Sequence, residues 1–406
     1  MKKNYDVLIV GGGAAGFFTA INLAEKKPEL QLAIVERGKE VLSKVRISGG
    51  GRCNVTHAEF IPQDLVKNYP RGEKELRGPF HQFMTGDTIE WFQQRGIELK
   101  TEEDGRMFPV TDSSETIINC FLSEANRLGI DVLKKHAVQT VEKKENTWEV
   151  STNQGEFLAK TIVMASGSNP KIWKLLEGLG HQIIPPVPSL FTFNTKDERL
   201  QDLAGISTFA SLKIKGEKLE SEGPLLITHW GLSGPGILKL SAWGARILND
   251  CNYKFTLEVN FLGYKTQEEA VEELKVLKNE FPKQQLTTYA QLDLPKRLWR
   301  RLIIKAGIPE NQIWAELSKK QIQQIALALT QATFLINGKS TFKEEFVTAG
   351  GINLKEVNFK TFESKVNDNL YFAGEILNID AITGGFNFQN AWTGGFLVAS
   401  AIAEKY

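Results

Sequence analysis

Tyr5-Asp-Val-Leu-Ile-Val10 runs directly into Gly11-Gly-Gly-Ala14-Ala15-Gly16, and this stretch decides the fold. The apolar run Val7 to Val10 reads as a buried strand, and Phe17, Ala20, Ile21 and Leu23 carry a helical spacing. Between them Gly11, Gly13 and Gly16 spell G-x-G-x-x-G. Glycine there permits a tight turn, close backbone approach to a pyrophosphate and close packing of helix on strand. The helix N-terminus adds unpaired N–H donors. A second strand, Leu32-Ala-Ile-Val35, delivers Glu36 twenty positions after Gly16, where a carboxylate accepts the ribose hydroxyls of an adenosine. Arg37 follows at the same tip. Strand, helix, second strand and acid fall in register, so the stretch predicts a dinucleotide site.

Charge narrows the partners. The 406 residues hold 49 Lys+Arg against 48 Asp+Glu, a net charge of +1, which predicts no general nucleic-acid footprint. Cys53, Cys120 and Cys251 are odd in number and far apart, with no C-x-x-C, so neither a disulfide framework nor a redox disulfide is expected. No metal-ligand cluster stands out. Nothing resembles a secretory signal, and no segment reaches the roughly 20 apolar residues that span a bilayer. The expectation is a soluble cytosolic protein acting on a small molecule, without nucleic acid or membrane.

Further along, Thr88 to Gln94 and Thr116 to Leu128 read as amphipathic helices. Strands are expected at Asp131–Leu133, Ala137–Val141, Thr147–Thr152 and Glu156–Ala159, then separately at Thr161–Ala165 before the turn Ser166-Gly167. After Pro185-Pro-Val-Pro188 the pattern alternates from Leu190 to about Leu262, an antiparallel unit. From Thr266 to about Thr330 it turns helical, with capping boxes at Thr266/Glu269 and Ser318/Gln321. Strands resume at Thr333–Ile336 and Phe346–Thr348, and a last helix covers Gly385 to Ala403. The middle block therefore reads as an insertion into one dinucleotide fold.

Three motifs carry chemistry. In Leu370-Tyr-Phe-Ala-Gly374-Glu375, a strand ends in a close-approach glycine and a carboxylate. Downstream, Gly384 and Gly385 open a helix at Phe386 and Asn387. A helix N-terminus stabilises negative charge, which an anionic reduced isoalloxazine carries, so a flavin is the expected ligand. The second motif is Lys44-Val-Arg46-Ile-Ser-Gly-Gly50-Gly51-Arg52-Cys53-Asn54, a glycine loop whose arginines suit phosphate or carboxylate. Cys53, lacking a resolving partner, is expected to be a packed thiol. The third, Leu225-Leu-Ile-Thr-His229-Trp-Gly-Leu-Ser-Gly-Pro-Gly236, has the wrong glycine spacing for a second nucleotide turn. His229 is either a proton donor or a residue bonded to its own loop. Arg106, in Glu103-Asp-Gly-Arg-Met-Phe-Pro109, sits in a turn that suits a ligand loop or an ordinary hairpin.

Together these motifs resemble the BaiN/RdsA-type family of NAD(P)/FAD-dependent oxidoreductases, which includes aminoacetone oxidase-like flavoproteins. Thr348-Ala-Gly-Gly-Ile352 and Phe362-Glu-Ser-Lys365 extend the match across the chain. Phe386 replaces the commoner Tyr, and Phe362-Glu363 the commoner Thr-Met. The resemblance implies an α/β architecture. A discontinuous Rossmann-type FAD-binding domain (1–189 and 346–406) takes in an antiparallel β-barrel-like insert (190–262 and 331–345), which carries a helical subdomain (263–330). FAD would lie with its pyrophosphate on Gly11–Gly16, its ribose on Glu36 and its adenine near Val138. Ser166 and Gly167 would flank the pyrophosphate. The Arg46–Asn54 loop, Gly374-Glu375 and the Gly385 helix would hold the ring, with the insert as a wall or lid. His229, Glu375 and Arg52 are the acid/base candidates. The expected activity is hydride transfer between the flavin and a small organic substrate, with NAD(P)H as a transient donor. Two rivals are a flavoprotein acting on RNA and a flavin redox sensor without turnover. Oxidase and reductase modes, like the oligomeric state, stay open.

Overall fold

The computed structural model describes residues 2–340 and 347–406. It divides into two compact units, Met1–Val187 with Lys343–Tyr406, and Pro188–Phe342. The expected strand start at Phe346, and the expected domain boundary beside it, lie outside the described residues.

The first unit is built on a sheet whose middle is parallel. Strand β1 (Lys3–Val10) leads into helix α1 (Ala14–Lys26) and strand β2 (Leu32–Glu36), and β1 and β2 pair in parallel. Sheet neighbours run in the order Leu370–Phe372, Gly155–Met164, β1, β2, Asp131–Lys134, all parallel. Val7, Leu8 and Ile9 are fully buried, as in a strand covered on both faces. Val138–Lys144, Thr147–Thr152 and Gly155–Met164 form an antiparallel meander. Here the structure corrects the sequence reading. Glu156–Ala159 and Thr161–Ala165 belong to one ten-residue strand, because nothing between them breaks extended backbone. That strand pairs antiparallel with Thr147–Thr152 on one side and parallel with β1 on the other.

The C-terminal helix, Phe386–Lys405, lies against α1. Gly395 allows this approach: a Cβ there would stand 3.1 Å from the Ala15 carbonyl oxygen and from Thr19 Oγ1. Phe18 and Trp392 close the seam with ring centroids 5.2 Å apart.

The second unit holds a seven-stranded antiparallel sheet. Its order is Ala332–Asn337, Lys254–Asn260, Ser207–Ile214, Glu220–Ile227, Gly231–Ser233, Thr192–Asn194, Lys339–Ser340. The two ends of that order are separated in sequence by Gly338 alone, so the sheet curls round on itself. Helices Gln267–Glu280 and Lys319–Thr330 begin at the Thr266/Glu269 and Ser318/Gln321 capping boxes. Between them runs the helix Lys296–Lys305. After the Gly234 turn come two helices, Pro235–Trp243 and Ala245–Asp250, broken at Gly244. Among the described residues no helix is long and apolar enough to cross a membrane.

Candidate cofactor and active site

Four parallel strands finish level. Val10 is in register with Val35 and with Met164, and Met164 with Phe372. The residues that follow, Gly11, Glu36, Ala165 and Ala373, therefore emerge along one carboxyl edge, where open α/β sheets bind ligands. Main-chain bonds fix that edge: Gly11 N donates to Val35 O (2.9 Å), Ala165 N to Val10 O (2.9 Å) and Ala373 N to Met164 O (3.1 Å).

The three glycines of the first turn have distinct physical roles. At Gly11, with φ +120°, a Cβ would lie 2.4 Å from the Ala165 carbonyl oxygen. At Gly16 it would lie 2.0 Å from the Gly11 carbonyl oxygen, so α1 can sit this close to β1 only without a side chain. Gly13, the N-cap of α1, has nothing within 4 Å of a Cβ, and the turn is open on that side. Ala14 and Ala15 begin the helix beside it. Glu36 is held in place by two amides, Gly12 N at 2.9 Å and Gly38 N at 2.6 Å. His136 N donates to Glu36 O (2.8 Å), which brings the strand beginning at Val138 alongside the acid. Arg37 is exposed.

The C-terminal motif closes over the same unit. Gly385, at φ +96°, caps the last helix, and a Cβ there would meet the Thr56 carbonyl oxygen at 2.5 Å. The bonding pattern around Asn54 fits an amide whose oxygen accepts from Gly385 N (3.0 Å) and whose nitrogen donates to Thr56 O (3.0 Å). Asn54 thus ties the glycine loop to the helix start. Tyr69 Oη, buried, donates to Phe386 O at 2.6 Å. Asn387 accepts from Ala381 N at 3.0 Å and so folds the preceding loop back on the helix. Asp380, fully buried, is ion-paired with Arg71. His57 stacks on Phe386 with centroids 4.5 Å apart, and its Nδ1 lies 3.0 Å from Gly384 O. A carbonyl only accepts, so this nitrogen carries the proton. Burial lowers the His57 pKa below the ordinary imidazole value, opposed by the Gly384 bond.

The Lys44–Asn54 stretch is a short helix, Ser43–Gly51, that unwinds at its end. Gly49, Gly50 and Gly51 all have positive φ, and a Cβ on Gly50 would meet nothing within 4 Å. The arginines are partnered: Arg46 with Glu115, and Arg52 with Glu102 at 2.5 Å while lying 3.9 Å above the Phe108 ring. Arg106 bonds Asp104 and Glu102 in a hairpin turn. Lys44 pairs with Glu375, whose other oxygen accepts from Thr348 N at 3.1 Å. A Cβ on Gly167 would lie 3.8 Å from Glu375, and the hydroxyls of Ser166 and Thr348 are buried without a hydrogen-bond partner. These open glycine faces and unmatched hydroxyls fit a bound, oxygen-rich ligand such as FAD. At Gly374, with φ +74°, a Cβ would lie 3.1 Å from the Ala15 methyl.

Cys53 is fully buried, and burial pushes its thiol up to about 12. Maleimide or iodoacetamide at pH 8 is expected to label exposed Cys251 while sparing Cys53 in the native protein, read by peptide mass spectrometry. Fast labelling of Cys53 would contradict its packed role.

Comparison with known proteins now decides the family. The HI0933-like protein Rossmann domain matches residues 5–401. The chain belongs to this family. Ribosomal RNA dihydrouridine synthase of Haemophilus influenzae is 30% identical over 420 residues, covering 100% of both chains. The 3-dehydro-bile acid delta(4,6)-reductase of Clostridium scindens is 27% identical over 411 residues, 98% of each. Among solved structures, 3-ketosteroid-delta4-(5alpha)-dehydrogenase from Rhodococcus jostii shares the fold, with a TM-score of 0.50 at 11% identity over 98% of this chain and 97% of that one. The chain is an FAD-dependent oxidoreductase of the BaiN/RdsA type.

Within the first unit, the Gly11–Gly16 turn, Glu36, Ser166, Gly167, Gly374 and Glu375 follow strands that end at one sheet edge, while Asn54, beyond Gly50 and Gly51, is tied to the Gly384–Asn387 helix start. His229 belongs to the second unit, exposed in the turn between Ile227 and Gly231. It is Thr228, not His229, that bonds the loop, accepting from Gly231 N at 3.1 Å. Sequence reasoning passed over Lys44, His57, Tyr69, Arg71 and the Thr348 hydroxyl. Lys44 and Thr348 stood inside quoted motifs. The other three act through partners more than 300 positions away, which no local pattern reports.

Proposed function

We propose that this enzyme catalyses flavin-dependent hydride transfer that saturates a carbon–carbon double bond conjugated to a carbonyl, with NAD(P)H as the electron donor. The level ends of the four parallel strands support this reading, because they bring the Gly11–Gly16 turn, Glu36 and the Ala373-Gly374-Glu375 segment to one carboxyl edge, where open α/β sheets bind ligands. In it, Gly11, Gly13 and Gly16 take the pyrophosphate with Ser166 and Gly167, Glu36 takes the ribose, and the backbone near Val138 flanks the adenine. Gly50–Asn54, Gly374-Glu375 and Gly384–Asn387 hold the ring. Bound FAD supplies the two-electron chemistry. This chain's residues orient it: the amides opening the Phe386 helix favour negative charge, and Lys44 and the Thr348 amide hold Glu375 in place. Arg52 stays cationic at any working pH and Glu375 is doubly held, so both serve as positioning groups. His229 has the chemistry of a proton donor.

The names of these two relatives point to such a bond, in uridine and in a delta(4,6)-unsaturated bile acid. Anaerobic purified protein should be yellow, bleach with NADPH or NADH, and recolour on adding 2-cyclohexenone. A colour that neither nicotinamide bleaches would sink the reductase reading, and bleaching followed by turnover would dismiss a non-catalytic sensor. A second reading, uridine in RNA as the substrate, is favoured by the 30% identity over the full chain to a ribosomal RNA dihydrouridine synthase.

A further inference from the structure

The near-zero net charge conceals a local segregation. Helix Gln267–Glu280 carries five glutamates, whereas helix Lys296–Lys305, Lys-Arg-Leu-Trp-Arg-Arg-Leu-Ile-Ile-Lys, carries five cations and no acid. Its apolar stripe is fully committed: Leu298, Trp299, Leu302 and Ile303 are each at most 1% exposed. Lys296, Arg297, Arg300 and Lys305 face solvent and Arg301 is half-buried. Spacings of three and four residues put 297, 300, 301 and 305, and likewise 296 with 300, on one contiguous band.

The partners of these cations are unequal. Arg300 pairs with Glu310, and Lys305 with Glu198 at 2.7 Å. Arg297 donates to the Asp202 carbonyl, and Arg301 to the Gln201 carbonyl at 3.2 Å. A carbonyl orients a guanidinium without cancelling its charge. Lys296 makes no ion pair among the described residues. Lys296, Arg297 and Arg301 therefore keep their full charge, two of them as oriented forks that suit phosphate oxygens. An interfacial membrane helix needs an apolar face to insert. This helix has spent its own on the protein core.

We propose that the band Lys296–Arg297–Arg301 is the docking surface for the phosphate backbone of an RNA substrate. The proposal rests on the second functional reading, RNA as substrate, and says where on the chain the RNA is gripped. Phosphate contacts position a nucleic acid and add salt-dependent affinity without reading its sequence.

The test uses full-length, FAD-loaded protein and an in vitro transcript of ribosomal RNA, with affinity measured by filter binding over a series of KCl concentrations. Dihydrouridine formation and 2-cyclohexenone reduction are assayed in parallel. The variant K296Q/R297Q/R301Q is expected to bind at least about tenfold more weakly. Its slope of log affinity against log salt should be shallower by about 2, from three lost contacts on a single strand. Turnover of 2-cyclohexenone should stay at the parent value. R297K/R301K, which keeps the charge, should keep the slope, and K213Q/K215Q/K218Q, which removes as many cations elsewhere on the second unit, should change it less. A triple variant with parent affinity and slope, in a protein that does form dihydrouridine, overturns the docking surface alone. Parent protein that neither binds nor modifies the transcript overturns the RNA reading and the docking surface together.

Discussion

Gly16→Ala is expected to leave the protein unable to retain FAD. The added methyl would stand 2.0 Å from the Gly11 carbonyl oxygen and 3.2 Å from its carbon, both backbone atoms that no rotamer change can move. Relief requires α1 to lift from β1, which carries the Gly13 N-cap away from the strand edge. Forced overpacking of this kind costs about 1–3 kcal/mol or more of stability. The loss in flavin affinity should be larger, at least about 100-fold, since every amide at the helix start moves together. Absorbance near 450 nm of the purified protein, with circular dichroism to check the fold, reads both effects. Gly13→Ala is the contrasting case. Its Cβ meets nothing within 4 Å, so the unfolding transition should stay put while the methyl occupies ligand space and weakens FAD binding. Stoichiometric flavin in Gly16→Ala would show that the turn does not hold the cofactor.

Asp380→Ala should be the most destabilising single change outside the glycine turn. Asp380 is fully buried and its partner Arg71 has a side chain only 14% exposed, so deletion removes the buried carboxylate that offsets a guanidinium with little access to water. Breaking a buried pair from one side costs about 3–5 kcal/mol, whereas replacing both partners with apolar groups is often close to neutral. The urea midpoint of Asp380→Ala should fall accordingly, and Arg71→Met with Asp380→Leu should recover much of it. Equal losses in the single and double variants would mean that the pair contributes through something other than mutual compensation. Flavin affinity should drop as well, because Asp380 opens the loop that Asn387 folds back to Gly385.

The contrast between these two sites says what a sequence can reveal. Gly16 was readable because its reason is local: a helix start four positions after a strand end, with Glu36 on the next strand. The capping boxes at Thr266 and Ser318 were readable on the same ground, each being complete within four residues. The Arg71–Asp380 pair was not, since its members are brought together by a bridge between distant segments. The long strand Gly155–Met164 was split in the reading because Lys160-Thr161 interrupts its apolar run, whereas the pairing that carries one strand through them involves distant segments. Arg46 and Arg52 sat in the right loop, yet Glu115 and Glu102, which hold them, lie on later elements. The basic helix was overlooked for a different reason: a whole-chain sum averages an acidic helix with a basic one.

The seam between α1 and Phe386–Lys405 has a consequence for how the protein is made. The Phe386–Lys405 helix is synthesised about 360 residues after α1, a delay of roughly 20–70 s at about 5–20 residues per second. Throughout that interval Phe18 and the Gly11–Gly16 turn lack the surface that completes them, and the strand Leu370–Phe372, which pairs with Gly155–Met164, is still unmade. The Phe18 seam and the Gly11–Gly16 turn are therefore completed only once Phe386–Lys405 has been made, and flavin capture waits for that helix.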